Sequence, residues 1–194
     1  MALSYQSPTR NLPDGYTFRG ATFHDIPVAV HLFNLRQMAD LGAGSFCVDD
    51  IRHEWQTPHF NPAMDVRLVF DRREHLIGYI EVWTINHPPV HPWLWGCVHP
   101  DFEGQGIGTT LLRWGEARVG LALDMLPVQQ WIAPRFSTLP VQRAHELCEH
   151  LGWRYVPSSA QLRQEAKKGT GALHLPETAD LQYDVYEKAI DQLN

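Results

Sequence analysis

The sequence predicts a single-domain α/β fold, because strand and helix patterns alternate along a chain of 194 residues. Two alternating apolar segments, 66–70 and 76–83, flank a polar turn and predict a β-hairpin. A third apolar segment, 93–98, leads into a turn rich in glycine and then into a helical pattern. A chain of this length has room for one sizeable core, and two ordinary domains would need more residues.

Elements on both sides of these strands follow from local patterns. Residues 16–19 alternate as a first strand, and 26–40 have helical spacing with Asp25 as a candidate N-cap and Pro27 in the first turn. A shorter helix is predicted at 49–56. After the helix that follows the glycine turn, the patterns predict a strand at 128–132, a helix at 141–151 and a strand at 153–156.

The domain boundaries are set by changes in composition near the two ends. We expect a tail over residues 1–15, the domain over 16–165, and a connector with a C-terminal helix over 166–194. Apolar residues at i, i+4 and i+8 from Leu181 predict that helix. The sequence leaves open whether it packs on the domain or on a second copy in a homodimer.

Composition narrows the function classes. Lys and Arg number 16 against 22 Asp and Glu, and no basic cluster forms the footprint expected of a nucleic-acid-binding protein. An acidic chain suits an amine substrate better than an anionic polymer. No apolar run approaches the roughly 20 residues of a membrane span, and the N-terminus lacks a secretory pattern. Three scattered cysteines predict a reducing, cytoplasmic setting rather than a disulfide framework.

The glycine turn predicts an anion site. Pro100 ends the strand, and Gly104, Gly106 and Gly108 precede a helix whose first N–H groups have no intrahelical partner. Without Cβ atoms, the backbone there can approach a phosphate closely. The spacing matches neither the dinucleotide fingerprint nor the P-loop, which requires a Lys after its last glycine. A plain strand-to-helix corner is the alternative interpretation.

The stretch resembles the acyl-CoA loop of the GNAT superfamily of N-acetyltransferases. That family has a Val-x-Pro step followed by [Gln/Arg]-x-x-Gly-x-[Gly/Ala], and here the matching residues are Val98-His99-Pro100 and Glu103-Gly104-Gln105-Gly106-Ile107-Gly108. The hairpin, third strand and helix also follow the family's order. One departure is Glu103, which stands where the family has Gln or Arg and places a negative charge beside the expected pyrophosphate.

The resemblance implies a GNAT acyl-CoA N-acyltransferase fold, with a mixed, mostly antiparallel sheet whose central strands splay apart and helices on its faces. It implies acetyl-CoA as co-substrate. Main-chain groups would hold the thioester and pantetheine at two positions, Cys97 and Val98. They would hold the pyrophosphate at five more, Gln105, Gly106, Ile107, Gly108 and Thr109.

Acyl transfer to an amine needs a base that removes a proton from the amine. Glu81 is the candidate, because it lies in a strand between Tyr79 and Trp83 and faces the same side as both. A solvated strand face or a structural ion pair is the alternative explanation for this glutamate.

The general acid is less clear from the sequence. The family pattern Asn-x-x-Ala-x-x-x-Tyr-x-x-x-Gly-Phe aligns with Val141, Ala144, Cys148 and Gly152-Trp153, so its Asn and Tyr are both missing. Cys148 has a thiol that could protonate the leaving thiolate, although a lone helical Cys is more often a small buried apolar residue. Tyr155 is the alternative acid, and solvent could replace either.

Histidines and aromatic residues offer further candidates. His87, His91 and His99 lie near the hairpin, but they are separated by prolines and no carboxylate or cysteine completes a metal-ligand spacing, so we expect no metal. The aromatic candidates for an acceptor pocket are Trp55, Phe60, Trp83, Trp93 and Trp95, with core filling as the alternative for Trp93 or Trp95.

The sequence therefore predicts a transferase that moves an acetyl group from acetyl-CoA to a primary amine of a small molecule or peptide. The alternative is a non-catalytic acyl-CoA-binding or regulatory module that keeps the loop without the chemistry.

Overall fold

The computed structural model describes residues 12–84, 92–124, 133–138, 142–157 and 184–189. Within these ranges the chain forms one mixed sheet with helices packed on both of its faces. The predicted α/β fold is confirmed. None of the helices in the described ranges has the length and apolar character needed to cross a membrane.

Seven strands of the described ranges form the sheet in the order β1-β2-β3-β4-β5-β7-β6. They are β1 (Thr17–Gly20), β2 (Val66–Phe70), β3 (Leu76–Trp83), β4 (Trp93–Val98), β5 (Arg135–Thr138), β6 (Arg154–Val156) and β7 (Asp184–Glu187). Every neighbouring pair is antiparallel except β4 and β5, which are parallel. The bounds of the predicted hairpin and of the third strand agree with β2, β3 and β4.

The helices of the described ranges also agree closely with the sequence patterns. They are α1 (Ile26–Leu41), α2 (Val48–Trp55), a short α3 (Pro62–Asp65), α4 (Ile107–Leu123) and α5 (Gln142–His150). Asp25 occupies the N-cap position of α1, but its side chain binds Arg19 and Thr22 instead of capping the helix. The single turn of α3, which begins at a proline, is not predicted by periodicity because it is too short to show any.

Each face of the sheet carries its own core. On one side α1 and α2 pack against the sheet around Phe33, Tyr79 and Trp83. On the other side α4 packs around Ile80 and residues such as Leu111 and Trp114 of its own buried face. Because successive strand residues point to opposite faces, β3 contributes to both cores.

A β-bulge corrects the face assignment at the start of β3. Strict alternation along β3 places Ile77 on the same face as Tyr79, and Leu76 on the same face as Ile80. In the structure Leu76 instead packs in the α1-side core with Tyr79, and Ile77 packs in the α4-side core with Ile80. The register with β2 shifts between Val69 and Phe70. One extra residue in a strand reverses the faces on one side of the bulge, so the simple alternation fails there.

The central strands part at the C-terminal end of β4. β4 and β5 pair at Trp93–Arg135, Leu94–Phe136 and Trp95–Ser137. Gly96, Cys97 and Val98 extend beyond these pairs, whereas the same residues remain paired with β3 on the other side. The described part of the sheet therefore opens beside the segment that precedes the glycine turn.

The C-terminal helix prediction is wrong at residues 184–187, which form β7 between β5 and β6. Val185 lies in the strand and is buried. Helical spacing of a few apolar residues was a weak signal here, because long-range pairing decides the local structure. Just after the strand, the Lys188 ammonium donates to Glu116 Oε1 and to the Leu151 carbonyl, both at 2.9 Å.

The strand predicted at 128–132 and most of the predicted connector lie outside the described residues, as do His87 and His91. In the described chain, β5 is the strand that follows α4.

Candidate active site

A cavity of about 800 Å³ opens where β4 and β5 part. Three groups of residues form its wall. The first group comes from α1 and the loop after it. The second comes from β3, β4, the glycine turn and the first half of α4, and the third from β5 and α5. The residues that line the cavity include Phe33, Arg36, Phe46, Tyr79, Trp95, Cys97, Val98, Glu103, Gly104, Gly106, Gly108, Thr109, Arg143 and Leu147. The cavity thus contacts elements on both faces of the sheet.

The glycine turn and the first residues of α4 form part of the wall of this cavity. Gly104 and Gly106 have φ of 77° and 80°, which L residues with a side chain rarely adopt. Gly106 is the N-cap of α4, and the first helical bond runs from the Thr110 N–H to the Gly106 carbonyl at 3.0 Å. The N–H groups of residues 107–109 consequently have no intrahelical acceptor.

Residues of the predicted cofactor loop differ in where their side chains lie. Cys97, Val98, Gly106, Gly108 and Thr109 line the cavity. The Ile107 side chain is buried in the core under α4. The Gln105 side chain accepts a hydrogen bond from the Tyr16 hydroxyl at 2.9 Å. Neither of these last two residues is part of the cavity wall.

The free backbone N–H groups at the start of α4, and the cavity beside them, fit the phosphates of an acyl-CoA. Free N–H groups at the positive end of a helix favour an anion. At Gly108 a Cβ would lie 2.9 Å from Leu147 Cδ2, so a larger residue there would require the Leu147 side chain to move.

Glu103 is neutralised by two arginines from distant parts of the chain. Its Oε1 accepts a hydrogen bond from Arg36 of α1, and its Oε2 lies 3.3 Å from Arg143 Nη1 at the start of α5. Arg36 also binds Asp40 through Nε and Nη2. The negative charge that departs from the family pattern is therefore compensated.

At the other end of the cavity, aromatic rings surround the approach to β3. The ring centroid of Phe33 lies 4.7 Å from Tyr79, 4.8 Å from Trp95 and 5.2 Å from Phe46, each in an edge-to-face arrangement. Asn34 fixes the backbone of Phe46 through two hydrogen bonds of 2.9 Å. An apolar wall of this kind suits the hydrocarbon part of a small ligand.

Tyr79, which is part of this wall, forms a hydrogen-bonded pair with the buried Glu81. The Tyr79 hydroxyl donates to Glu81 Oε2 at 2.5 Å. Burial raises the pKa of Glu81 to about 7, and the hydrogen bond from Tyr79 limits the increase. Desolvation and the neighbouring Glu81 charge raise the pKa of the buried Glu54 well above its usual value. A carboxylate with a pKa near neutrality is matched to base catalysis.

The Cys97 thiol is unsuited to act as a nucleophile. Desolvation of this partly buried side chain raises its pKa to about 12, and the nearby Asp40 and Glu81 charges add to the increase. Reaction at sulfur needs the thiolate, which is scarce at neutral pH when the pKa is so high.

The amino-acid sequence of this region matches a known family. Residues 65–155 match the model of the acetyltransferase (GNAT) domain. These residues carry a GNAT acetyltransferase domain. The predicted recognition is confirmed, and the matched residues include β2, β3, β4, the glycine turn and α5.

Solved structures support the GNAT fold. A GCN5-related N-acetyltransferase from Sphaerobacter thermophilus superposes with a TM-score of 0.68 at 25% identity, covering 75% of this chain and 45% of that protein's length. The yncA protein from Salmonella typhimurium, solved with its cofactor acetyl-CoA, superposes with a TM-score of 0.57 at 13% identity and covers 92% of this chain and 95% of its own. Comparison with proteins of curated function found no match.

A third similar structure is a spermidine N-acetyltransferase from Vibrio cholerae in complex with CoA and spermine. It has a TM-score of 0.55 at 16% identity and covers 90% of this chain and 94% of its own. At these low identities the last two structures support the fold of the GNAT domain alone.

Within the GNAT domain, the predicted acids lie away from the cavity. Cys148 is fully buried in the core under α4, where desolvation raises its pKa to about 12. Tyr155 lies on β6 in an aromatic group with His145 and Tyr186, and it is not part of the cavity wall. Glu81 is buried behind Tyr79, which does form part of the wall.

The aromatic candidates divide between core and cavity. Trp55, Trp83 and Trp93 are buried in the α1-side core, where Phe60 stacks on Trp83 at 4.0 Å between centroids. Trp95 alone among these five candidates lines the cavity of the GNAT domain. Among the described residues no group of three or more His, Cys, Asp or Glu side chains is arranged as a metal site, and His99 caps a short turn through Nδ1.

The sequence did not reveal Arg36 and Arg143 as parts of the GNAT site. Arg36 precedes Asp40 by one helical turn, which indicates only an ordinary surface pair. Their contacts with Glu103 span 67 and 40 positions along the chain, and no local pattern reports such distances.

Proposed function

We propose that this chain transfers the acetyl group of acetyl-CoA to a primary amine by direct attack. One observation carries the proposal. Tyr79 is paired in register with Cys97 across β3 and β4, and its hydroxyl is bound to a glutamate of raised pKa. The proton acceptor therefore lies on the strand next to the segment assigned to the thioester.

The cofactor is held mainly by backbone. In this proposal the N–H groups of residues 105–109 bind the pyrophosphate, and main-chain groups of Cys97 and Val98 align the thioester. Acetyl-CoA, when bound, would supply a thioester, whose carbonyl carbon is attacked by the amine and whose CoA thiolate leaves readily. The similar structures solved with acetyl-CoA or CoA support this choice of cofactor.

Glu81 removes the proton from the amine through Tyr79. The Tyr79 hydroxyl oxygen takes a proton from the attacking nitrogen while its own proton passes to Glu81 Oε2. Burial keeps the pKa of Tyr79 well above its usual value, so the tyrosine is neutral before the reaction and after it. The net transfer leaves Glu81 protonated, and solvent restores its charge.

Neither predicted side-chain acid takes part in this mechanism. Cys148 and Tyr155 lie outside the cavity wall, so water protonates the leaving thiolate, which needs little assistance. The protonated Cys97 thiol makes a covalent acetyl-cysteine route unfavourable, and direct attack remains.

We place the acceptor at the aromatic end of the cavity, beside Phe33, Phe46 and Trp95. The amine is one of a small molecule or a peptide. The likeness to a spermidine N-acetyltransferase supports small-molecule amines as a class. We propose a cytoplasmic location, in keeping with three free cysteines.

The experiment is a thiol-release assay with acetyl-CoA and a panel of primary amines that includes alkylamines, arylalkylamines, polyamines and short peptides. Release that depends on one amine class and falls in Glu81→Gln supports the proposal. Binding of acetyl-CoA with no amine-dependent release from the full panel identifies the non-catalytic module instead.

A further inference from the structure

Arg36 and Arg143 both contact Glu103, but they differ in exposure and in how many of their N–H groups are already hydrogen-bonded. The Arg36 side chain is 12% exposed and binds both Asp40 and Glu103. The Arg143 side chain is 66% exposed, and its Nη1 lies 3.3 Å from Glu103 Oε2. Among the described residues, Nε and Nη2 of Arg143 have no hydrogen-bond partner. Arg36 is therefore committed to its carboxylates, whereas Arg143 has donors to spare.

Arg143 lies where a phosphate at the glycine turn would be within its reach. It lines the cavity together with Gly104, Gly106 and Gly108. A Cβ built on Gly104 would lie 3.8 Å from Arg143 Nη1, so the guanidinium is next to the turn's backbone. The N–H groups of residues 107–109 are available at the same place.

The charges near the turn allow this arginine to face an anion. The cavity wall contains three carboxylates, Asp40, Glu103 and Glu146, and two guanidinium groups, Arg36 and Arg143. An unpaired Glu103 would repel a pyrophosphate, but Arg36 already binds one of its oxygens. Arg143 can thus keep its contact with Glu103 and use its remaining N–H groups for a phosphate.

We infer that Arg143 is a phosphate ligand of bound acetyl-CoA, supplied by α5 where the turn itself has Glu103. This inference rests on the proposed function, because it assigns a contact within the same cofactor site. Arg143 then contributes charge-assisted hydrogen bonds beside the backbone donors of the turn.

The test is a calorimetric titration of the whole chain with acetyl-CoA and, separately, with S-acetyl-pantetheine, which has the thioester and no pyrophosphate. Arg143→Gln is expected to raise the Kd for acetyl-CoA about tenfold, and to leave the Kd for S-acetyl-pantetheine unchanged. Arg143→Lys, which keeps the charge without the fork, restores part of the affinity. The salt dependence of acetyl-CoA binding falls in Arg143→Gln.

The matched control is Arg113→Gln, which makes the same charge change at an exposed position of α4 that is not part of the cavity wall. It is expected to bind acetyl-CoA as the wild type does. Equal acetyl-CoA affinity in wild type and Arg143→Gln would overturn the inference and leave the proposed function intact. No binding of acetyl-CoA by the wild type would overturn both.

Discussion

The Tyr79 hydroxyl donates a 2.5 Å hydrogen bond to Glu81, and both residues are buried on β3. Tyr79 lies in the cavity wall, and Glu81 lies behind it with only 4% of its surface exposed. This pair connects the cavity to a carboxylate whose pKa is about 7. The proposed chemistry depends on that connection.

Replacing Glu81 with Gln keeps the shape of the side chain and removes its basicity. We expect kcat to fall about 100-fold or more, with little change in the KM for acetyl-CoA, because the glycine turn is untouched. In the wild type the rate rises with pH through about 7 as Glu81 ionises. In Glu81→Gln this rise in rate near pH 7 is expected to be absent. Steady-state rates measured over a range of pH test this expectation.

Tyr79→Phe tests the hydroxyl separately from the ring. The ring packs edge-to-face on Phe33 and is retained, so the variant is expected to fold. The rate should fall as in Glu81→Gln, whereas exposed Glu74→Gln, in the turn before β3, should retain full activity. Full activity in Tyr79→Phe would mean that the amine reaches its base without the tyrosine.

The same carboxyl group makes stability depend on pH. Its pKa is raised from 4.5 to about 7 in the folded chain, so the folded state holds a proton that the unfolded state releases. Stability from this group is fully present below pH 4.5 and is lost as pH rises through about 7. The difference amounts to about 3 kcal/mol.

Urea unfolding at a series of pH values measures this loss, with Glu81→Gln as the reference that lacks the titrating group. We expect the wild type to lose stability relative to Glu81→Gln between pH 4.5 and 7. Parallel stability curves for the two proteins would show that Glu81 has an ordinary pKa.

A buried ion pair attaches the end of β7 to α4. Lys188 and Glu116 are both buried, and Glu116 Oε1 also accepts a 2.7 Å hydrogen bond from the Trp153 indole. Lys188→Met leaves a buried carboxylate without its cation, and we expect a loss of about 3–5 kcal/mol. Exposed Arg154→Met, on neighbouring β6, should change stability little. A similarly small loss in Lys188→Met would contradict the buried pair.

Replacement by alanine is predicted to change stability in opposite directions at Gly106, the N-cap of α4, and at Gly120, inside that helix. Gly106→Ala places a Cβ at φ 80°, which costs about 1 kcal/mol and disturbs the phosphate-binding turn. At Gly120, inside α4, a Cβ would meet nothing within 4 Å, so Gly120→Ala should stabilise the helix by about 0.5–1 kcal/mol. Thermal unfolding and acetyl-CoA titration of both variants check these signs. Equal acetyl-CoA affinity in both would remove Gly106 from the cofactor turn.

Local patterns predicted the elements that decide the fold. The bounds of β3, β4 and α4 follow from their apolar patterns and from the glycines between β4 and α4. What failed depended on distant partners. Residues 184–187 form a strand because Phe136 and Tyr155 both pair with Tyr186, which no spacing near residue 185 reports.

The candidate site was predictable in its backbone and not in its side chains. The cofactor turn is a contiguous motif, so its residues could be named from the sequence. The pairing of Glu103 with Arg36 and Arg143 brings together three separate elements, and the bulge in β3 cannot be read from alternation. Cys148 was placed by alignment with a family pattern, but its helix turns it into the core.

The central claim is that this chain moves an acetyl group from acetyl-CoA to an amine. Mass spectrometry of the amine panel after incubation with acetyl-CoA labelled in its acetyl group tests this most directly. We predict a labelled N-acetyl product with the wild type and far less with Glu81→Gln at equal acetyl-CoA occupancy. Labelled acetyl-CoA that is bound but yields no labelled product from any amine would contradict the account.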